Sequence, residues 1–64
     1  MSSYSYVYEV RHGTELVATG RLTREDAVQI GERMTVGHHT GLVRSVQPGL
    51  SDQVPRVVIE LLPG

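Results

Sequence analysis

The stretch from Val28 to Val46 constrains the fold of this chain more than any other. Apolar and polar residues alternate through it. It turns at Gly37-His38-His39-Thr40-Gly41 and resumes as a second apolar run, Leu42-Val43 and then Val46. Period-two alternation on both sides of a glycine-bounded turn is the pattern of paired strands with one buried face. The spacing Gly41-Leu42-Val43 followed by Val46 breaks strict alternation, which predicts a bulge or strong bend between them.

The same period governs the N-terminal part. Tyr4 to Arg11 reads as a strand, with Tyr4, Tyr6, Tyr8 and Val10 on one face and Ser5, Val7, Glu9 and Arg11 on the other. His12-Gly13-Thr14 is a short turn, and Glu15 to Leu22 returns as the second arm of a β-hairpin. Gly41 to Gln47 forms a strand that Pro48-Gly49 closes. Leu50 to Gln53 forms a loop in which Ser51 and Asp52 suit a turn, and Val54 to Leu62 forms the last strand. Pro55 near its start fits an edge or first-residue position.

Thr23 to Met34 admits two readings. As a helix, Thr23 is the N-cap, Glu25 and Asp26 fill the first turn, and Ala27, Ile30 and Met34 share a face. As loop and strand, Thr23 to Ala27 is a polar connection, Gly31-Glu32 a bend, and Arg33 to Val36 a strand with Met34 and Val36 inward. Gly31 costs about 1 kcal/mol inside a helix relative to alanine, and Val28, Thr35 and Val36 prefer strand. The balance favours the strand, with a ββαββ arrangement carrying a helix near 23–34 as the α+β alternative.

The final strand is apolar on both faces. Val57, Ile59 and Leu61 share one side, and Val58 and Leu62 lie on the other beside Arg56 and Glu60. Strands of this kind are usually covered on both sides. With 64 residues the chain is one domain spanning 1–64, and a chain of that size buries only about 60% of its unfolded surface. A single such core rarely supplies more than roughly 3–5 kcal/mol. The sequence has no cysteine, so disulfides, cysteine-ligated zinc and thiol chemistry are excluded together. By elimination, self-association is the expected support.

Charge and motifs bear on function mainly by exclusion. The net charge is −1 and the apolar fraction 39%, without the basic balance of a nucleic-acid footprint. Lysine is absent, and the basic residues are Arg11, Arg21, Arg24, Arg33, Arg44 and Arg56. A GC-rich genome accounts for that bias, and so would a need for planar bidentate donors. No apolar run approaches the ~20 residues of a membrane span. The start lacks the charged and apolar regions of a signal peptide, so a cytoplasmic location and no membrane partner are expected.

The sequence from Ile30-Gly31-Glu32-Arg33-Met34-Thr35-Val36 to Gly41-Leu42-Val43 resembles a pattern recurrent in SH3-like and related small β-barrels: an apolar residue, glycine, an acid, then alternating apolar positions, then Gly-x-Val. The resemblance covers about a third of the chain and implies a five-stranded, strongly bent sheet. The chain is also similar to short uncharacterised proteins of high-GC Gram-positive bacteria. Neither likeness carries a function or site residues, because SH3-like folds bind peptides, nucleic acids or other proteins. The aromatic groove of peptide-binding SH3 domains has no counterpart here, with no Trp or Phe and the tyrosines gathered at the N-terminus.

The candidate chemistry is sparse. His38-His39 is the only adjacent histidine pair, with His12 distant in sequence, and a metal site needs three or four ligands with a positioned outer shell. No metal or cofactor is therefore expected. The carboxylates Glu9, Glu15, Glu25, Asp26, Glu32, Asp52 and Glu60 show no acid–base pairing. Nucleophile elbows and glycine-rich phosphate cradles are also missing. An enzyme is not expected.

Two features point to binding. Tyr4, Tyr6 and Tyr8 suit a core face, an interface or a stacking platform, since tyrosine has an apolar body and a polar tip. With Val58 and Leu62 they form the expected interface. Arg33, Arg44 and Arg56 form a possible patch for an anion or acidic partner, against ordinary pairing with Glu60 or Glu32. The expectation is a mainly β domain, a five-stranded SH3-like small barrel or strongly bent antiparallel sheet. It would act as a non-enzymatic module that binds a second copy or another protein. The alternative is a nucleic-acid-binding small barrel that uses its arginines with Tyr4 and Tyr6.

Overall fold

The computed structural model describes residues 3–49 and 54–62. It contains five strands: β1 (Tyr4–His12), β2 (Glu15–Arg24), β3 (Arg33–Val36), β4 (His39–Gln47) and β5 (Arg56–Leu61). They form one sheet in the order β2-β1-β5-β4-β3, curled into a half-barrel. No helix occurs among the described residues, so the strand reading of Thr23 to Met34 holds and the helical alternative does not. Among the described residues no helix is long and apolar enough to cross a membrane. The expected turn at Ser51-Asp52 lies outside the described residues.

Local sequence accounts for the two hairpins. Each closes on a turn led by a glycine with positive φ, Gly13 at 65° and Gly37 at 59°, where a side chain would be strained. The β3–β4 turn is tighter than its glycine-rich sequence implies, because His39 and Thr40 already pair with Val36 and Thr35. The expected irregularity in β4 is a register shift between Val43 and Ser45, with Arg44 the extra residue. A second shift, beside Val10/Arg11, leaves Val17 unmatched on β2.

The sheet is mixed. β1 and β5 run parallel, with Val7 opposite Arg56 and Val10 opposite Ile59, while the other three pairings are antiparallel. This departs from a wholly antiparallel sheet, and the physical reason is burial. The parallel pairing sets the two most apolar strands side by side in the centre, each bonded on both edges. A parallel pair needs a long crossover, and everything from β2 to β4 serves as one. The two-sided apolar character of β5 thus reflects its central position as well as its faces.

Strand direction also decides where the β2–β3 connection lies. β2 ends opposite Tyr4, at the start of β1, whereas β3 begins opposite Leu42, which pairs with Glu60 and so lies in register with Arg11. Because β2 and β3 are opposite edges, residues 25–32 must cross between them, and the segment meets Tyr6 of β1 and Val43 of β4 on the way. Val28 dips into the core from this crossing and is 7% exposed. It joins Tyr6, Val10, Met34, Val36, Val43, Val57 and Ile59 on the concave side, with Tyr8, Ala18, Leu22, Val46 and Leu61 packed around them. Met34 and Val36 face inward as their spacing implies, whereas Ile30 stands 70% exposed on the crossing.

Candidate interaction surface

The crossing segment is held by three groups that the sheet positions. The buried Tyr6 hydroxyl accepts a hydrogen bond from the Val28 amide at 3.1 Å. The Gly31 amide donates to the Val43 carbonyl, and the Val43 amide donates to the Glu32 carbonyl, both at 2.8 Å. The Glu32 amide donates to the Gln29 carbonyl at 3.2 Å, closing a turn whose third residue, Gly31, has φ 90° as a type II turn requires. Glu32 completes the arrangement with its side chain. One carboxylate oxygen accepts from the Gln29 amide at 3.2 Å, and the other pairs with Arg24 Nη1 at 2.5 Å. The glycine–acid pair of the sequence pattern is therefore a turn and its clamp.

The Arg24 guanidinium, and then the Gln29 amide, hold the Glu32 carboxyl below its ordinary pKa. A carboxyl depressed in the folded state stabilises the fold in full above its unfolded value of about 4.3. That contribution is lost as pH falls through the lower, folded value. The difference in urea midpoint between the wild-type protein and Glu32→Gln is therefore expected to be largest near pH 7 and to shrink below about pH 4. A difference that stays constant from pH 7 to pH 3 would refute the clamp.

The convex side carries the ion pairs. Glu9, 13% exposed at its side chain, accepts from Arg11 at 2.9 Å through one oxygen and pairs with Arg56 at 3.0 Å through the other. Glu60 faces Arg44 at 3.6 Å and also accepts the Gly13 amide at 3.1 Å, which ties the first hairpin turn to β5. Val7, Val58 and Leu62 lie half-buried on this convex side. Strand pairing brings Arg44 and Arg56 onto neighbouring strands, and each faces a glutamate. Arg33 lies exposed on β3, opposite Leu42 of β4. The arginine patch is in large part an ion-paired surface.

The five expected interface residues do not share one surface. Tyr6 is 5% exposed and belongs to the core, Tyr8 is half-buried against β2, and Tyr4 is 43% exposed at the strand's start. Val58 and Leu62 lie on the opposite, convex side, because successive residues of a strand alternate. His38 is exposed at the tip of the β3–β4 turn and His39 is half-buried on β4. Among the described residues no three His, Cys, Asp or Glu side chains gather as metal ligands.

The feature missed in the sequence is the outer edge of β2. The half-barrel is open between β2 and β3, so among the described residues one long edge of β2 has no neighbouring strand. β2 spans Glu15–Arg24, whereas the opposite edge strand, β3, has only Arg33–Val36. Leu16 and Val17 are 50% and 40% exposed at its start. Among the described residues, neither Glu15 nor Arg21 takes part in an ion pair. A long edge strand with exposed aliphatic residues is a template for pairing with another chain.

These features define a small, open, all-β domain whose most distinctive exposed element is a sheet edge. No protein-family model, curated protein or solved structure matches the chain.

Proposed function

We propose that this chain is a non-enzymatic protein-interaction module that works by self-association, in a cytoplasmic setting. The observation that carries this reading is the open β2 edge, which combines unpaired backbone with the exposed Leu16 and Val17. The small core supports it too, since a second copy adds buried area that a 64-residue chain cannot supply alone. Pairing of Arg44 and Arg56 with carboxylates weakens the nucleic-acid alternative, because those guanidinium groups already have anionic partners. The sheet's curl accords with the small-barrel resemblance, while its parallel β1–β5 pair sets it apart from a wholly antiparallel sheet.

Light scattering over micromolar to millimolar concentrations tests the reading. A mass that rises to that of a defined oligomer is the expected result. A monomer mass throughout the range would overturn it.

A further inference from the structure

We infer that the convex face of the sheet is a docking surface for an acidic, partly apolar segment of another protein. This goes beyond the self-association reading, because it uses a face that one copy holds complete and not the β2 edge.

Strand register fixes which charges that face carries. Val7, Glu9 and Arg11 of β1 point to it, and their partners there are Arg21 of β2 with Arg56 and Glu60 of β5. Leu42 of β4 lies opposite Glu60, and Arg33 of β3 lies opposite Leu42. Arg44, the extra residue of the β4 bulge, reaches Glu60 and so belongs to the same side. Five of the six arginines in the chain therefore stand on one face, against Glu9 and Glu60 alone among the described residues. That is a surplus of three positive charges on a chain whose net charge is −1.

The two glutamates leave much of this charge available. Glu9 serves both Arg11 and Arg56, and the Arg44 side chain is 70% exposed at 3.6 Å from Glu60. Arg21 and Arg33 are exposed and take part in no ion pair among the described residues.

The layout selects the partner. Arg21 and Arg56 flank Val7 in one row across the strands, two strand spacings or about 10 Å apart. Arg33 flanks the exposed Leu42 in the row that contains Arg11, about 13 Å further along β1. A single small anion cannot span the two rows, whereas an extended segment with several carboxylates reaches both. Guanidinium forks bind carboxylates through paired hydrogen bonds, and Val7 and Leu42 between them offer contact to aliphatic side chains. Tyr4, Tyr6 and Tyr8 all point to the concave side, so the arginine face has no ring on which a base could stack. That favours carboxylates over a single-stranded nucleic acid.

Fluorescence anisotropy with a labelled peptide of glutamates interspersed with leucines tests the surface. The wild-type protein is expected to bind it, and more weakly as ionic strength rises. Combining Arg21→Gln with Arg33→Gln removes two exposed arginines without intramolecular ion pairs, so strand circular dichroism and the urea midpoint should hold. Binding should weaken about fivefold to tenfold. Glu15→Gln, on the concave side opposite His12, should leave the affinity unchanged.

No binding by the wild-type protein at low ionic strength overturns the proposal. So does binding that the double variant retains, or that Glu15→Gln alters as strongly, since overall charge would then be responsible. An oligothymidylate or a phosphatidylserine vesicle bound more tightly than the peptide overturns the protein partner and assigns the face to nucleic acid or membrane. The two readings fail separately: a monomer that binds the peptide overturns self-association alone, and a stable oligomer that does not bind it overturns this proposal alone.

Discussion

Replacing Gly41 with alanine is expected to leave the protein largely unfolded at room temperature, with the loss of its cooperative urea transition. Gly41 is buried in β4, opposite Met34 of β3 on one edge and Leu61 of β5 on the other. A Cβ there would lie 2.7 Å from Ile59 Cγ2, 2.9 Å from the Glu60 carbonyl carbon, and closer still to the Glu60 carbonyl oxygen. The obstacle is chiefly backbone of the central strand, which cannot move without breaking its pairing with β1 as well. Overpacking a core typically costs 1–3 kcal/mol, and a backbone collision places this case at about 3 kcal/mol or more. That is comparable to the whole stability expected of so small a core, roughly 3–5 kcal/mol.

Gly20→Ala supplies the contrast. Its Cβ would meet the Tyr8 hydroxyl at 2.5 Å and the ring at 2.6 and 2.8 Å, an equally short distance. The obstacle there is the end of a half-buried side chain beside the open edge, which can swing aside. The loss should stay near 1 kcal/mol. Equal effects at the two glycines would refute the distinction between a backbone and a side-chain obstacle.

Tyr6→Phe carries the second large expected effect. It keeps the ring, and hence most of the packing, but removes the hydroxyl that accepts the Val28 amide at 3.1 Å. Val28 is 7% exposed, so its N–H would be left without an acceptor and away from water. A buried donor deprived of its partner costs about 1–3 kcal/mol, again a large part of the total. The urea midpoint should fall accordingly. Amide exchange should rise first at Val28 and across the 25–32 crossing, ahead of β1 and β5. A midpoint within error of wild type, with Val28 exchange unchanged, would show that the hydroxyl does not hold the crossing.

Much of this architecture was legible because strand signals are local. The alternation assigned Met34 and Val36 to the inward face and grouped Tyr6 with Val10, and Val57 with Ile59, on shared faces; all six are buried. The broken spacing after Val43 announced the β4 bulge, and Gly31-Glu32 announced the bend. The Tyr4–Tyr6–Tyr8 stripe was legible as a face but not as three different environments, since burial changes along β1 with its distance from the core. The β2 edge left no local signature, because nothing in Glu15–Arg24 distinguishes an edge strand from a central one before strand order is known.

The chain by itself determined five strands, two turns at glycines and which side chains share a strand face, because period-two patterning and glycine turns act over a few residues. Only the tertiary structure decided that β5 lies between β1 and β4, that β1 and β5 run parallel, and that residues 25–32 cross from β2 to β3 over Tyr6 and Val43. It also decided that Tyr6 bonds Val28 and that Glu9 faces Arg56. Those partners are distant in sequence, and what selects them is the summed burial and pairing of the whole sheet rather than any local preference.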